Sequence, residues 1–236
     1  MQLMEEESRK WEMLSLSLLL GLAAAVAALL FFAWLANEVL EGELQHFDEV
    51  TRVGIHQLAT PAMTTAMQGI SFLGSTIFLT SATTAICIWF VLRHWQRESI
   101  LFAITMIGAA FLNTTLKLTF KRSRPVPYFN LLAPESYSFP SGHALASFCF
   151  YGAFAAIVTA RIKNRHTRML IWLIAGAMIL LIGFSRIYLG VHYTTDVLAG
   201  YSAALIWVVV VRFVEVQLAR RKRNRELRTS RATNGN

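Results

Sequence analysis

Residues 169–211 read MLIWLIAGAMILLIGFSRIYLGVHYTTDVLAGYSAALIWVVVV. Two apolar runs, 169–189 and 194–214, are each long enough to cross about 30 Å of hydrocarbon as a helix. The short polar break between them carries Ser185 and Arg186 on one side and His192 and Asp196 on the other. A cation, an imidazole and a carboxylate beside hydrocarbon are costly unless they are used. The stretch therefore predicts two membrane helices joined at a mouth that carries chemistry.

Outward from it, segments 13–36, 67–92, 99–119 and 141–160 have the same length and character. The expectation is an all-α protein, a six-span transmembrane helical bundle. The second span is the weakest, because Gly69, Gly74 and several Ser and Thr residues precede its most apolar part, which predicts a kink or a surface start. Between the first two spans, Leu40, Leu44, Phe47, Val50 and Leu58 recur near helical spacing among Glu38, Glu41, Glu43, Asp48 and Glu49. That pattern predicts an interfacial amphipathic helix in the first outer connection, with a solvated acidic loop as the alternative.

Composition agrees: 55% of the residues are hydrophobic and 15% charged, with a mean hydropathy of +0.48. An ordinary soluble domain is excluded. The net charge of +8 lies largely in Arg220-Arg221-Lys222-Arg223-Asn224-Arg225, which membrane topology explains better than nucleic acid does. The first apolar run is too long for a secretory signal and follows Glu5, Glu6 and Glu7, so it reads as an uncleaved span. Cys87 and Cys149 fall within apolar segments and predict no disulfide framework.

Sixteen of the 22 Lys and Arg residues fall on one side, at the N-terminus, around 93–98, around 161–168 and from Arg212 onward. By the positive-inside rule both termini are cytoplasmic, in a cell membrane, and the polar clusters face outward. The domain expectation is a cytoplasmic segment 1–12, a six-span domain 13–214 and a basic cytoplasmic tail 215–236 whose end, from Arg228, looks disordered.

Three clusters share the outward side. Lys117 and Arg124-Pro125 follow the third span, Pro140-Ser141-Gly142-His143 opens the fourth, and Ser185-Arg186 with His192 and Asp196 joins the last two. His192 and Asp196 are four apart, so one helix face lets the carboxylate hold one ring nitrogen and aim the other. Taken alone, that pair is better explained by a structural hydrogen bond capping a helix. Arg186 taken alone reads as a snorkelling side chain. Together with Lys117 and Arg124 it makes an anion site, and Lys121 and Arg122 strengthen that field or bind headgroups. Ser141 is a natural N-cap, Gly142 allows close approach to backbone N–H groups, and His143 lies on the same turn. Tyr128, Phe129, Tyr137, Phe139, Tyr188 and Tyr193 read mainly as an interfacial aromatic belt, with lipid contact or packing of the site as the alternative. His46, His56, His94 and His166 have no metal-ligand spacing and receive no role.

The combined pattern over 117–196 resembles the three-part signature of the type 2 phosphatidic acid phosphatase superfamily, in its membrane-bound bacterial-type form. That superfamily includes vanadium haloperoxidases and glucose-6-phosphatases. The resemblance implies a lipid phosphatase in which His192 is the nucleophile, Asp196 orients it and His143 is the general acid. Lys117, Arg124, Ser141, Gly142 and Arg186 would hold the phosphate. It implies no metal and no cofactor; the partners are a membrane lipid phosphate and the bilayer, with no nucleic acid, and oligomeric state is undetermined. Candidate substrates are undecaprenyl diphosphate, phosphatidylglycerophosphate and phosphatidic acid, and the basic pair Lys121 and Arg122 tilts the choice toward the diphosphate. Tyr193 is followed by Thr194-Thr195 where family members often have proline, which affects helix entry and no catalytic position. Phosphotransfer through the same histidine, and non-catalytic binding or transport of anionic lipid, stay open as alternatives.

Overall fold

A computed structural model describes residues 2–129, 131 and 135–234, with side chains described over 18–129, 131 and 135–223. Among the described residues there are eight helices and no strand: α1 (Gln2–Glu41), α2 (Gln45–His56), α3 (Pro61–Phe72), α4 (Thr76–Leu92), α5 (Gln96–Phe120), α6 (Gly142–Thr159), α7 (Arg165–Tyr188) and α8 (Thr194–Asn234). Five of them are long and apolar enough to cross a membrane, and the α3–α4 pair passes the same test jointly as a sixth span.

The first span runs Leu18–Glu41, five residues past its expected end. Nothing in 37–41 breaks a helix, and α1 stops only at Gly42, whose φ of +81° is the left-handed conformation that glycine adopts without strain. The second span has the expected kink but begins earlier than expected. Instead of one helix over 67–92, α3 starts at Pro61 with Thr60 capping Met63 N, breaks at 73–75, and resumes as α4 under a Ser75 cap with a bend of 47°. The Ser75 cap stabilises the break: its hydroxyl accepts from Phe78 N, which a continuous helix would have paired internally. At the other end, α8 continues through 228–234 as helix, where a disordered end was expected. Gly235 and Asn236 lie outside the described residues.

α6 is central, packed against α5, α7 and α8, while α1 lies along α8. Leu145 and Cys149 of α6 bury against Ala109 of α5 and Ala203 and Ala204 of α8. A second cluster joins Leu79 and Phe90 of α4, Phe102 of α5 and Phe150 of α6. Cys87 and Cys149 are free thiols. Small residues set the closest approach: a Cβ on Gly200 would stand 2.7 Å from the Ser141 carbonyl oxygen, so only glycine lets α8 pass beneath the start of α6. That contact also allows Ser141 N to donate to the Asp196 carbonyl at 2.9 Å, tying the second cluster to the third.

α2 is the expected amphipathic helix. Phe47, Val50 and Val53 are exposed on its outer face, and the opposite face carries Asp48, fully buried, with Thr51 one turn on. That second face meets protein rather than water.

Candidate active site

Lys117 ends α5, His143 opens α6, Arg186 ends α7, and Arg124 and His192 come from the connections. All five line one cavity of about 750 Å³ together with Gly142. Ser141 and Asp196 are fully buried beside it. The fold thus brings together the residues that the sequence placed at one depth.

His192, 1% exposed, has its Nδ1 3.2 Å from Asp196 Oδ2 and its Nε2 3.0 Å from Arg124 Nη1. The carboxylate is held in turn: Oδ2 accepts from Tyr193 N at 2.9 Å and from the Ser138 hydroxyl, and Oδ1 accepts from Arg122 Nη1 at 2.7 Å. An acceptor at Nδ1 fixes the tautomer with its proton there and leaves a lone pair on Nε2. Burial pushes the His192 pKa down to about 3, with Asp196 pulling the other way, so the ring is neutral at ordinary pH.

Arg124 is well occupied. Its Nε donates to Ser136 O at 2.6 Å, and its Nη2 donates to Ser136 Oγ at 3.0 Å and Tyr137 O at 3.2 Å. Its Nη1 also donates to Val191 O at 2.8 Å. Lys117 Nζ donates to the carbonyls of Tyr137 and Ser138. Both cations therefore pin the loop before α6 while lining the cavity. Arg186 donates through Nη1 to Ser71 Oγ of α3 at 2.5 Å, and its buried Nε has no hydrogen-bond partner. Ser141 occupies the N-cap position of α6 but makes no cap bond; its buried hydroxyl is unpartnered. An unpaired guanidinium N–H, a hydroxyl and the first amides of a helix are groups suited to the acceptor oxygens of an anion.

Below these groups the cavity continues as a groove between α4 and α5, past Thr83, Asn113 and Ala110 to Ile88 and Ile107. Those isoleucines are 55% and 71% exposed on the flank of the bundle, so the groove opens sideways toward lipid. Among the described residues no group of three or more His, Cys, Asp and Glu is placed to hold a metal ion.

Residues 98–218 match the PAP2 superfamily. The chain belongs to the PAP2 superfamily. It is similar to phosphatidylglycerophosphatase B of Bacillus subtilis (strain 168), 31% identical over 199 residues that span 83% of this chain and 96% of that protein. It is also similar to an undecaprenyl-diphosphatase of Sulfolobus acidocaldarius, 29% identical over 133 residues, 54% of this chain and 58% of the other. The crystal structure of a transmembrane PAP2 type phosphatidylglycerolphosphate phosphatase from Bacillus subtilis matches with a TM-score of 0.75 at 31% identity, over 82% of this chain and 96% of that one.

Beyond the PAP2 signature, the sequence reading missed Asp48, Ser71, Asn113 and Ser138, and it misplaced Arg122. Arg122 is no free cation beside the phosphate pocket: Nη2 meets Asp48 Oδ2 at 2.8 Å and Nη1 meets Asp196 Oδ1 at 2.7 Å. Burial opposes its charge, yet Asp196 and Asp48 raise its pKa above the ordinary guanidinium value. The tilt toward a diphosphate that rested on Lys121 and Arg122 is thereby withdrawn, since two carboxylates already neutralise Arg122. The aromatic belt is corrected too. Tyr188 and Phe139 are fully buried, Phe129 stacks on Tyr188, Tyr128 stacks on His56, and Arg122 lies 4.2 Å over the Tyr193 ring. These rings pack between elements: Phe139 against α1, Tyr188 and Phe129 against α3, and Tyr128 against α2, while Tyr137 stays exposed.

Proposed function

We propose that this protein is an integral membrane phosphatase that removes the terminal phosphate of a lipid at the outer face of a cell membrane, both termini being cytoplasmic. The observation that carries this reading is the continuity of the cavity, which joins a buried histidine–carboxylate pair and three cations to a groove that opens sideways between α4 and α5. A lipid fits such a shape, with its headgroup among the cations and its chain in the groove. Phosphatidylglycerophosphate ranks ahead of undecaprenyl diphosphate and phosphatidic acid, because the likeness to the Bacillus subtilis phosphatase extends over nearly the whole chain. The excess of Lys and Arg at the ends opposite the site supports the orientation.

In this reading His192 Nε2 attacks phosphorus while Asp196 keeps the proton on Nδ1 and balances the charge that forms on the ring. Arg124 exchanges its contact with Nε2 for a phosphoryl oxygen. Arg186, Lys117, the Ser141 hydroxyl and the first-turn amide of Gly142 hold the remaining oxygens as charge spreads over them. His143 gives its proton to the departing lipid oxygen. Water then attacks the phosphohistidine, His143 takes the proton back, and inorganic phosphate leaves.

The test is phosphate release from the three lipids by purified protein with EDTA present, combined with quenching in alkaline detergent to trap labelled phosphohistidine, whose P–N bond survives base and not acid. Release and label that both vanish in His192→Ala support the reading. No release from any lipid by folded protein overturns hydrolysis, and label passing to an added alcohol would make the protein a phosphotransferase.

A further inference from the structure

Asp48 is fully buried on a helix whose other face is apolar and exposed, and the PAP2 signature does not include it. Its Oδ1 accepts from Thr195 N at 3.0 Å, and its Oδ2 accepts from Thr195 Oγ1 at 2.6 Å and Arg122 Nη2 at 2.8 Å. Arg122 spends its other terminal nitrogen on Asp196 Oδ1 and, at 2.8 Å, on Thr195 Oγ1. A guanidinium is a rigid planar fork, so fixing one arm fixes the other. We propose that Asp48 and Arg122 are positioning residues, a carboxylate–guanidinium bridge that aims Asp196, and through it His192, from the membrane-surface helix α2.

Two features separate this bridge from a simple helix cap. A cap requires only the bonds from Thr195, whereas here a second carboxylate on the far side of Arg122 completes the charge balance. Asp196 would otherwise face a buried cation able to draw it off His192; with Asp48 present, the cation is shared between two anions. The geometry also divides the carboxylate: Oδ1 is reserved for Arg122, so Oδ2 alone serves His192, Ser138 and Tyr193 N. Thr51, one turn along α2 from Asp48, meets Thr194 hydroxyl to hydroxyl at 2.9 Å and so secures the same helix pair outside the bridge.

The inference rests on His192 being the nucleophile, and the experiment keeps the two apart. Full-length Asp48→Asn, Arg122→Lys and Thr51→Ala proteins are compared with wild type for kcat and KM on phosphatidylglycerophosphate, for melting temperature, and for the nitrogen chemical shifts of ¹⁵N-histidine. The His192 signals are assigned by their loss in His192→Ala. Asp48→Asn lowers kcat about ten- to hundredfold, the range carried by outer partners of functional histidines, while KM stays within about threefold. Arg122→Lys does the same, because an ammonium cannot span two carboxylates. In both, the His192 nitrogens change from a single Nδ1–H tautomer to a mixture. Thr51→Ala keeps kcat within about twofold of wild type, as a contact outside the bridge should.

Asp48→Asn and Arg122→Lys proteins that melt earlier but keep wild-type kcat and nitrogen shifts would reduce Asp48 to a cap and overturn the proposal. If wild type releases no phosphate from any lipid, the phosphatase reading fails and the nitrogen spectra alone decide. In that case an unchanged tautomer in Asp48→Asn overturns the bridge, and a mixed one upholds it.

Discussion

His192 combines burial with a single committed acceptor, and the two have opposite effects on its proton. Because burial dominates, the folded ring stays neutral down to about pH 3, whereas in the unfolded chain it takes up a proton near pH 6.5. Between those values the unfolded state binds more protons, so stability falls as pH falls. The melting temperature in detergent should therefore drop between pH 7 and pH 4, with a shallower slope in His192→Ala. Phosphate release by that variant should be lower by a factor on the order of 10³ or more. Arg186 gives a second test at this scale. Its position between Ser71 and the cavity suits a fork and not a point charge, so Arg186→Lys should reduce kcat/KM by about 10²-fold, the loss typical of one oxyanion donor.

Among the elements, the α4–α5 groove separates lipid recognition from chemistry. Ala110 lines it well away from His192, and Ala110→Trp should block it. KM for a long-chain lipid phosphate should then rise about tenfold or more, while turnover of a small water-soluble phosphate ester changes little. Equal losses on both substrates would remove the groove from the account. The α6–α8 contact is less forgiving: Gly200→Val drives a side chain into the Ser141 carbonyl and should cost about 1–3 kcal/mol of stability. Hydropathy made the spans legible in the sequence, and motif spacing did the same for the eight residues at the site. The 47° break between α3 and α4 was only half legible, because Gly69 and Gly74 mark a weak point without saying where the caps at Thr60 and Ser75 will form. Asp48 was not legible at all. On α2 it reads as one acid among several, and its partner Thr195 lies 147 residues away.

For the whole molecule, the proposed orientation, with the site outward and both termini cytoplasmic, is open to a direct test. A cysteine introduced at Val126, which is 79% exposed in the connection after α5, should react with an impermeant maleimide on intact cells lacking Cys87 and Cys149. A cysteine at Arg93 should react only after the membrane is opened. The reverse pattern would turn the active site inward. The Asp48 link also places the site within the order of synthesis. At about 5–20 residues per second, on the order of ten to thirty seconds pass between the emergence of α2 and that of the residues it grips. Through that interval Asp48 lacks its full set of partners, Arg122 and Thr195, and the cavity lacks His192, the attacking group of the proposed mechanism. Competence thus arrives with the last span to be made, and a chain cut short before it displays the cations without being able to use them.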